Sequence, residues 1–175
     1  TLGLTFNNFS LKNIFDKSTW SPLPSGDGQR ISIRAQTNGS FFQNYSFSFT
    51  EPWLGRKKPN SLNFSAYHSI QDYSTDVVDN RLDIIGLNLG LGKRLRWPDD
   101  YFSMSQSISI QQYKLKNRQL VPGFSNGISK NISYRTTFSR SSIFDPIFPK
   151  TGSQFTFIGH FTPPYSLFNK KDYSI

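Results

Sequence analysis

Two histidines, two pairs of acids and a run of glycines are the residues of this chain most able to do chemistry. His68 and His160 lie in alternating apolar and polar segments, with no acid at a catalytic or metal-ligand spacing. A satisfied or interfacial imidazole is expected at both. Asp99-Asp100 and Asp76/Asp79 offer carboxylates to a weak cation and are read as solvated loop acids. Gly86-Leu87-Asn88-Leu89-Gly90-Leu91-Gly92 has the glycine density of a phosphate loop. Its glycines fall at alternate positions and no helix follows, so small residues on one bending strand face are expected instead. With no cysteine, no Cys/His metal pattern, no nucleophile elbow and no P-loop, the chain reads as a non-enzyme without metal or cofactor.

The elements that carry these residues are strands. Arg30-Ile31-Ser32-Ile33-Arg34-Ala35-Gln36 alternates basic or polar side chains with apolar ones. Tyr45 to Thr50, Phe102 to Ile110 and Gln154 to Phe157 repeat the pattern with aromatics or aliphatics against hydroxyls. Successive side chains of a strand point to opposite sides, so each segment has one apolar and one polar face. Many such strands with a small-polar second face predict a transmembrane β-barrel, lipid outside and water inside. The outward set is then Ile31 and Ile33, Phe47 and Phe49, Leu62 and Phe64, Leu87 and Leu89, Ile108 and Ile110, Phe155 and Phe157. Arg34 and Arg135 fall on the lumenal side. A soluble β-sandwich would instead pack these apolar residues into a core.

Eight strands are expected, over 2–11, 30–37, 40–50, 61–70, 81–95, 101–115, 128–140 and 153–162. Asn38-Gly39 predicts a two-residue type I′ hairpin, in which both central residues need positive φ. In 81–95 the apolar parity changes between Leu82/Ile84 and Ile85/Leu87/Leu89/Leu91, which predicts a bulge near Ile84-Ile85. No helix is expected, because Pro, Gly, Asn and Ser interrupt every apolar 3.6-residue period.

Composition is consistent with this class. Mean hydropathy is −0.49 with 35% hydrophobic residues, as it must be when half of each strand faces water. No stretch approaches the roughly 18 apolar residues of a helical span. Net charge is +9, but the basic residues gather at strand ends, as in Arg56-Lys57-Lys58, Lys93-Arg94-Leu95-Arg96 and Lys114-Leu115-Lys116-Asn117-Arg118. That placement suits anionic headgroups or lipopolysaccharide phosphates, or simply a solvated rim. Without a recognition helix or an RNA-binding motif, nucleic acid is not an expected partner.

The connections alternate between two kinds, as an up-and-down meander requires. One set holds proline with an acid, and in the last two also a base: 21–28, 51–55, 96–100 and 144–152. The other is the Asn38-Gly39 turn, loops 71–80 and 116–127, and the segment after Phe161. Trp20, Trp53 and Trp97 all fall in or beside the first set. Indoles favour the membrane–water boundary, so an aromatic girdle is expected at that rim. Short connections in bacterial barrels face the periplasm, which places the proline-rich set there and loops 71–80 and 116–127 outside the cell. The connection 12–29 is longer than this rule expects. The segments around Glu51-Pro52 and Asp145-Pro146 also echo one another, either by duplication or by repeated turn chemistry.

These turns resemble a known family. Tyr45-Ser46-Phe47-Ser48-Phe49-Thr50-Glu51-Pro52-Trp53-Leu54-Gly55, followed by Ser61-Leu62-Asn63-Phe64-Ser65, resembles an early hairpin of the BamA-type outer-membrane β-barrel assembly proteins (the bacterial surface antigen family). Asp145-Pro146-Ile147-Phe148-Pro149-Lys150-Thr151-Gly152 resembles a turn midway round that barrel, and Gly3 to Ser10 resembles its second strand. The resemblance implies that residues 1–175 are the N-terminal portion, about strands two to nine, of a sixteen-strand barrel that follows periplasmic POTRA domains. It implies a Gram-negative outer membrane and a non-enzymatic role in folding and inserting client β-barrels. Implied partners are the rest of the barrel, the clients, accessory assembly lipoproteins, and outer-membrane lipids and lipopolysaccharide. The seam between first and last strands and the Arg-Gly-Phe-type loop motif of that family fall outside these residues, so no functional residue transfers. Only Glu51, Pro52, Gly55, Asp145, Pro146, Phe148, Pro149 and Gly152 carry over, as structural turn positions. A passive barrel, whether porin, secretion or translocation pore or surface anchor, is the alternative function. A closed eight-strand barrel is the alternative architecture.

Overall fold

The structure, a computed structural model, describes residues 1–55, 60–74, 79–117, 126–143 and 150–163. Eight strands form a single antiparallel sheet in chain order: β1 (Leu2–Phe9), β2 (Gln29–Asn38), β3 (Phe42–Glu51), β4 (Asn60–Asp72), β5 (Arg81–Arg94), β6 (Phe102–Lys116), β7 (Gly127–Ser141) and β8 (Gln154–Phe161). Each lies within about two residues of its expected span. β1 and β8 are the two edges and do not pair with each other, so the sheet is an open part of a barrel and not a closed eight-strand one.

The cross-strand register decides the two faces, because residues opposite one another on neighbouring strands point to the same side. Ile33 pairs with Phe47, Phe49 with Phe64, Phe64 with Leu89, Leu89 with Ile108, and Phe138 with Phe157. The chain of pairings places all twelve residues of the expected outward set on one face. Ile33, Leu89, Ile108 and Phe157 are 51%, 45%, 46% and 64% exposed. The only buried hydrophobic side chains among the described residues are Phe9, Leu82, Phe102 and Leu115. A sandwich needs a second layer over these apolar residues, and here there is one sheet without such a core. Each Leu, Ile or Phe left in water would forfeit about 1.5–3 kcal/mol, which lipid restores.

On the opposite face Thr5 meets Ser32 at 3.0 Å, Ser103 meets Ser139 at 2.8 Å, and Ser109 donates to Asn88 at 3.1 Å. Arg34 and Arg135 lie on this polar face, opposite Ser46 and Ser107 respectively.

Three expectations need correction. β5 carries no bulge: it runs in unbroken register against β4 and β6 from Arg81 to Lys93. Leu82 instead stays on the polar side, where it pairs with Leu115 in a small buried apolar contact, and the parity change is real. The bulge occurs in β1, between Phe6 and Phe9, where Asn8 takes φ 64° and its Oδ1 accepts from Gly28 N at 3.0 Å. The Asn38-Gly39 turn has three residues between strands, not two, and of Asn38 and Gly39 only Gly39 has positive φ. Phe41 is drawn out of the hairpin by Tyr73, whose ring it meets edge-on at 4.4 Å, and by Asp72 N donating to its carbonyl. Finally, two short 3-10 turns, Lys12–Phe15 and Lys17–Thr19, occupy a connection where no helix was expected. Among the described residues no helix is long and apolar enough to cross a membrane.

Candidate functional site

The polar face is held together by long side chains reaching across strands. Tyr67 of β4 lies over Gly86 of β5, where an added Cβ would sit 2.3 Å from its ring. Its phenol oxygen accepts from Gln111 Nε2 of β6 at 2.8 Å, and Tyr113 O–H donates to Gln111 Oε1 at 2.8 Å. Asn131 of β7 donates to the same oxygen at 3.4 Å. Four strands are thereby tied on one side, and the glycine is what lets the ring lie flat.

All four proline-rich connections leave the sheet at one rim, since they follow β1, β3, β5 and β7. Ser10, fully buried, donates to Asp27 Oδ2 at 2.5 Å and receives Asn13 N at 3.2 Å. Ser18 donates its hydroxyl and backbone N–H to Asp16 Oδ1 at 2.7 and 3.1 Å, which holds that carboxyl below its ordinary pKa. Glu51 joins this connection to the next: Gln29 Nε2 donates to its Oε2 at 2.6 Å and Trp53 N to its Oε1 at 2.9 Å. Gln29 Oε1 in turn accepts from Leu11 N at 2.8 Å. A cavity of about 480 Å³ opens here between Lys12, Asp27, Glu51 and Trp53.

Trp20, Trp53 and Trp97 all sit in connections of this rim and are 45%, 54% and 83% exposed. Pro52 and Gly55 occupy the turn after β3, with Gly55 at φ 81°. Gly152 takes φ 99°, and a Cβ there would come 2.3 Å from the Ser142 carbonyl. Asp145, Pro146, Phe148 and Pro149 lie outside the described residues.

Asp99 is not a solvated loop acid. Arg140 of β7 grips its Oδ2 through Nε and Nη2, both at 2.9 Å, while Nη1 donates to Ser142 and Ser153 at 3.0 and 2.6 Å. The guanidinium also lies 5.7 Å from the ring centroids of Tyr101 and Phe102. Beside it Phe102, Phe138 and Phe155 form an aromatic cluster. Asp79 pairs with Lys116, but both side chains stay exposed, so it is the solvated loop acid that was expected. Sequence reasoning missed Arg140, although a cation at an apolar-parity position near a strand end was a signal for it.

At the opposite rim Arg81, Asp83, Lys114 and Lys116 line a cavity of about 290 Å³. Neither histidine joins an acid cluster: His68 lies on the apolar face opposite Tyr45 and Ile85, and His160 on the polar face opposite Arg135. Among the described residues no group of three or more His, Cys, Asp or Glu is placed to hold a metal ion.

What the arrangement offers is a polar-lined, lipid-faced curved sheet with two chemically different rims. The Omp85 superfamily domain matches residues 25–174, which covers β2 through β8. The chain belongs to the Omp85 superfamily. That superfamily includes outer-membrane assembly and transport proteins, so an Omp85 chain has its apolar face in the hydrocarbon of an outer membrane. No curated protein and no solved structure matches it at a significant level.

Proposed function

We propose that this Omp85 protein is a BamA-type assembly factor of a Gram-negative outer membrane, which folds client β-barrels and inserts them into the bilayer. In that reading residues 1–175 are about strands two to nine of a larger barrel. The protein works without enzyme chemistry or cofactor, alongside accessory assembly lipoproteins. The observation that supports it most is the superfamily match running through seven in-register strands, together with the BamA-like sequence Phe49-Thr50-Glu51-Pro52-Trp53-Leu54-Gly55 at the second proline-rich connection of the sheet.

The physical role of the turn residues follows. Glu51, with Pro52 and Gly55, closes one rim turn, as Gly152 does another, and Asp145, Pro146, Phe148 and Pro149 belong to the same design in sequence. Trp20, Trp53 and Trp97 anchor that rim at the lipid boundary, where an indole has both apolar contact and a wet N–H. A rim fixed in this way lets other parts of a barrel distort while these strands stay in register.

The test is reconstitution of the full-length gene product in lipid vesicles with a urea-unfolded client barrel, read by the heat-modifiable mobility of the folded client. Acceleration over protein-free vesicles is the expected result. Ion conductance without acceleration would identify a passive pore and overturn the assembly reading.

A further inference from the structure

The apolar face is not apolar to its end. At the rim opposite the proline-rich turns, Arg81, Lys114, Lys116 and Lys130 all point to the lipid side, because their register partners continue the same face: Arg81 opposite Lys116, Asp83 opposite Lys114, and Lys130 opposite Gln112. A cation on this face is tolerated only near the headgroups, where its stem covers apolar surface and its ammonium reaches water.

Two of the four are already neutralised. Arg81 Nε contacts Asp83 Oδ1 at 3.0 Å, and Lys116 is paired with Asp79. The side chains of Lys114 and Lys130 make no hydrogen bond or ion pair among the described residues, and both residues are exposed. Lys114 lies opposite Ile128, so Lys130 is its diagonal neighbour across the β6–β7 pair, about 7–8 Å away. Flexible lysine stems can bring both ammoniums onto a single anion. Lys114 also borders the 290 Å³ cavity lined by Arg81, Asp83 and Lys116, which lies on the β5 side of Lys114, whereas Lys130 approaches it from β7.

The chemistry of the occupant follows from what continues below. Ile132 lies two residues along β7 from Lys130, roughly 7 Å toward the midplane, and Ile110 four residues along β6 from Lys114, about 13 Å. An anion carrying acyl chains can therefore rest its tails on Ile110 and Ile132 while its charge meets both lysines. Two unpaired cations match a phosphomonoester, which carries about −1.5 to −2 at neutral pH. A phosphodiester, with a single charge, would leave one lysine unanswered.

We propose that Lys114 and Lys130 form a binding site for a lipid phosphomonoester, the headgroup chemistry of lipid A and phosphatidic acid. The site rests on the membrane placement of the apolar face but not on the assembly function.

The probe is the full-length protein in phosphatidylcholine nanodiscs doped with phosphatidic acid, with retained lipid counted by native mass spectrometry after detergent extraction. Wild type is expected to retain phosphatidic acid in preference to phosphatidylglycerol, and inorganic phosphate is expected not to displace it. Lys114→Gln/Lys130→Gln should reduce retention about tenfold, while Lys114→Arg/Lys130→Arg should keep it. Unchanged heat-modifiable mobility of each variant shows that the barrel has folded, and Lys130→Gln alone serves if the double variant does not fold. Equal retention of the diester, displacement by free phosphate, or retention unaffected by the Gln variants would overturn the site. Loss of lipid retention with client folding intact would leave the assembly reading standing, and the reverse outcome would leave the lipid site standing.

Discussion

Tyr67 lies flat across Gly86, and its phenol oxygen takes a 2.8 Å hydrogen bond from Gln111 on the strand beyond. One side chain thus spans three strands, and it does so only because the middle strand presents no Cβ beneath it. Gly86→Ala would place a methyl group 2.3 Å from the ring. Displacing a well-seated aromatic in this way costs about 1–3 kcal/mol, whereas Tyr67→Phe removes only the hydrogen bond, about 1 kcal/mol. Urea unfolding of the full-length protein in detergent, followed by mobility on unheated gels, should rank Gly86→Ala as the more damaging change.

The Arg140–Asp99 contact makes a different prediction. Arg140 holds three partners from two connections with one planar fork, which a lysine ammonium cannot reproduce. Arg140→Lys is expected to cost about 1–2 kcal/mol despite keeping the charge. Asp99→Asn should cost less on its own, and the double variant should fall short of the sum in a mutant cycle. Full additivity would show that the two side chains do not interact.

At the rim turns, Gly152 and Gly39 separate two effects. Both have positive φ, at 99° and 61°, but only at Gly152 does a Cβ meet backbone, 2.3 Å from the Ser142 carbonyl; at Gly39 it meets nothing within 4 Å. Gly39→Ala should cost the conformational penalty alone, about 1–2 kcal/mol. Gly152→Ala should cost visibly more in the same assay, and equal costs would mean that the turn after β7 relaxes freely.

Orientation is testable because the chain has no cysteine. Ser40→Cys lies at the rim of the short hairpin and Lys17→Cys in the first proline-rich connection, and both positions are exposed. On intact cells an impermeant maleimide is expected to label Ser40→Cys at once and Lys17→Cys only after the outer membrane is breached. The reverse pattern would invert the topology.

Much of this fold was legible in the sequence because a lipid-faced strand writes its period into every second residue. Ile31/Ile33 and Phe155/Phe157 could be assigned to one face across seven strands on that ground alone. The signal failed where a single contact overrode the period. Leu82 read as a register break because the buried partner that keeps it inward, Leu115, is on another strand. Asn38-Gly39 read as a two-residue turn because nothing local reports that Phe41 packs on Tyr73. The β1 bulge depends on Asn8 reaching Gly28, twenty residues on. The candidate sites were harder still. Glu51 was singled out as a turn residue, yet its link through Gln29 to Leu11 is visible only in space. Lys114 looked like an ordinary rim charge until the register placed it, with Lys130, on the lipid side.

The face carrying Ile108 and Ile110 lies in hydrocarbon, and the face carrying Ser107 and Ser109 does not. Spin labels placed singly at these four consecutive positions of β6, in the full-length protein in vesicles, test this by collision with oxygen and with a water-soluble nickel chelate. Strict alternation is expected: high oxygen and low nickel access at Ile108→Cys and Ile110→Cys, with low oxygen access at Ser107→Cys and Ser109→Cys. Uniform access along the strand, or the opposite phase, would contradict it.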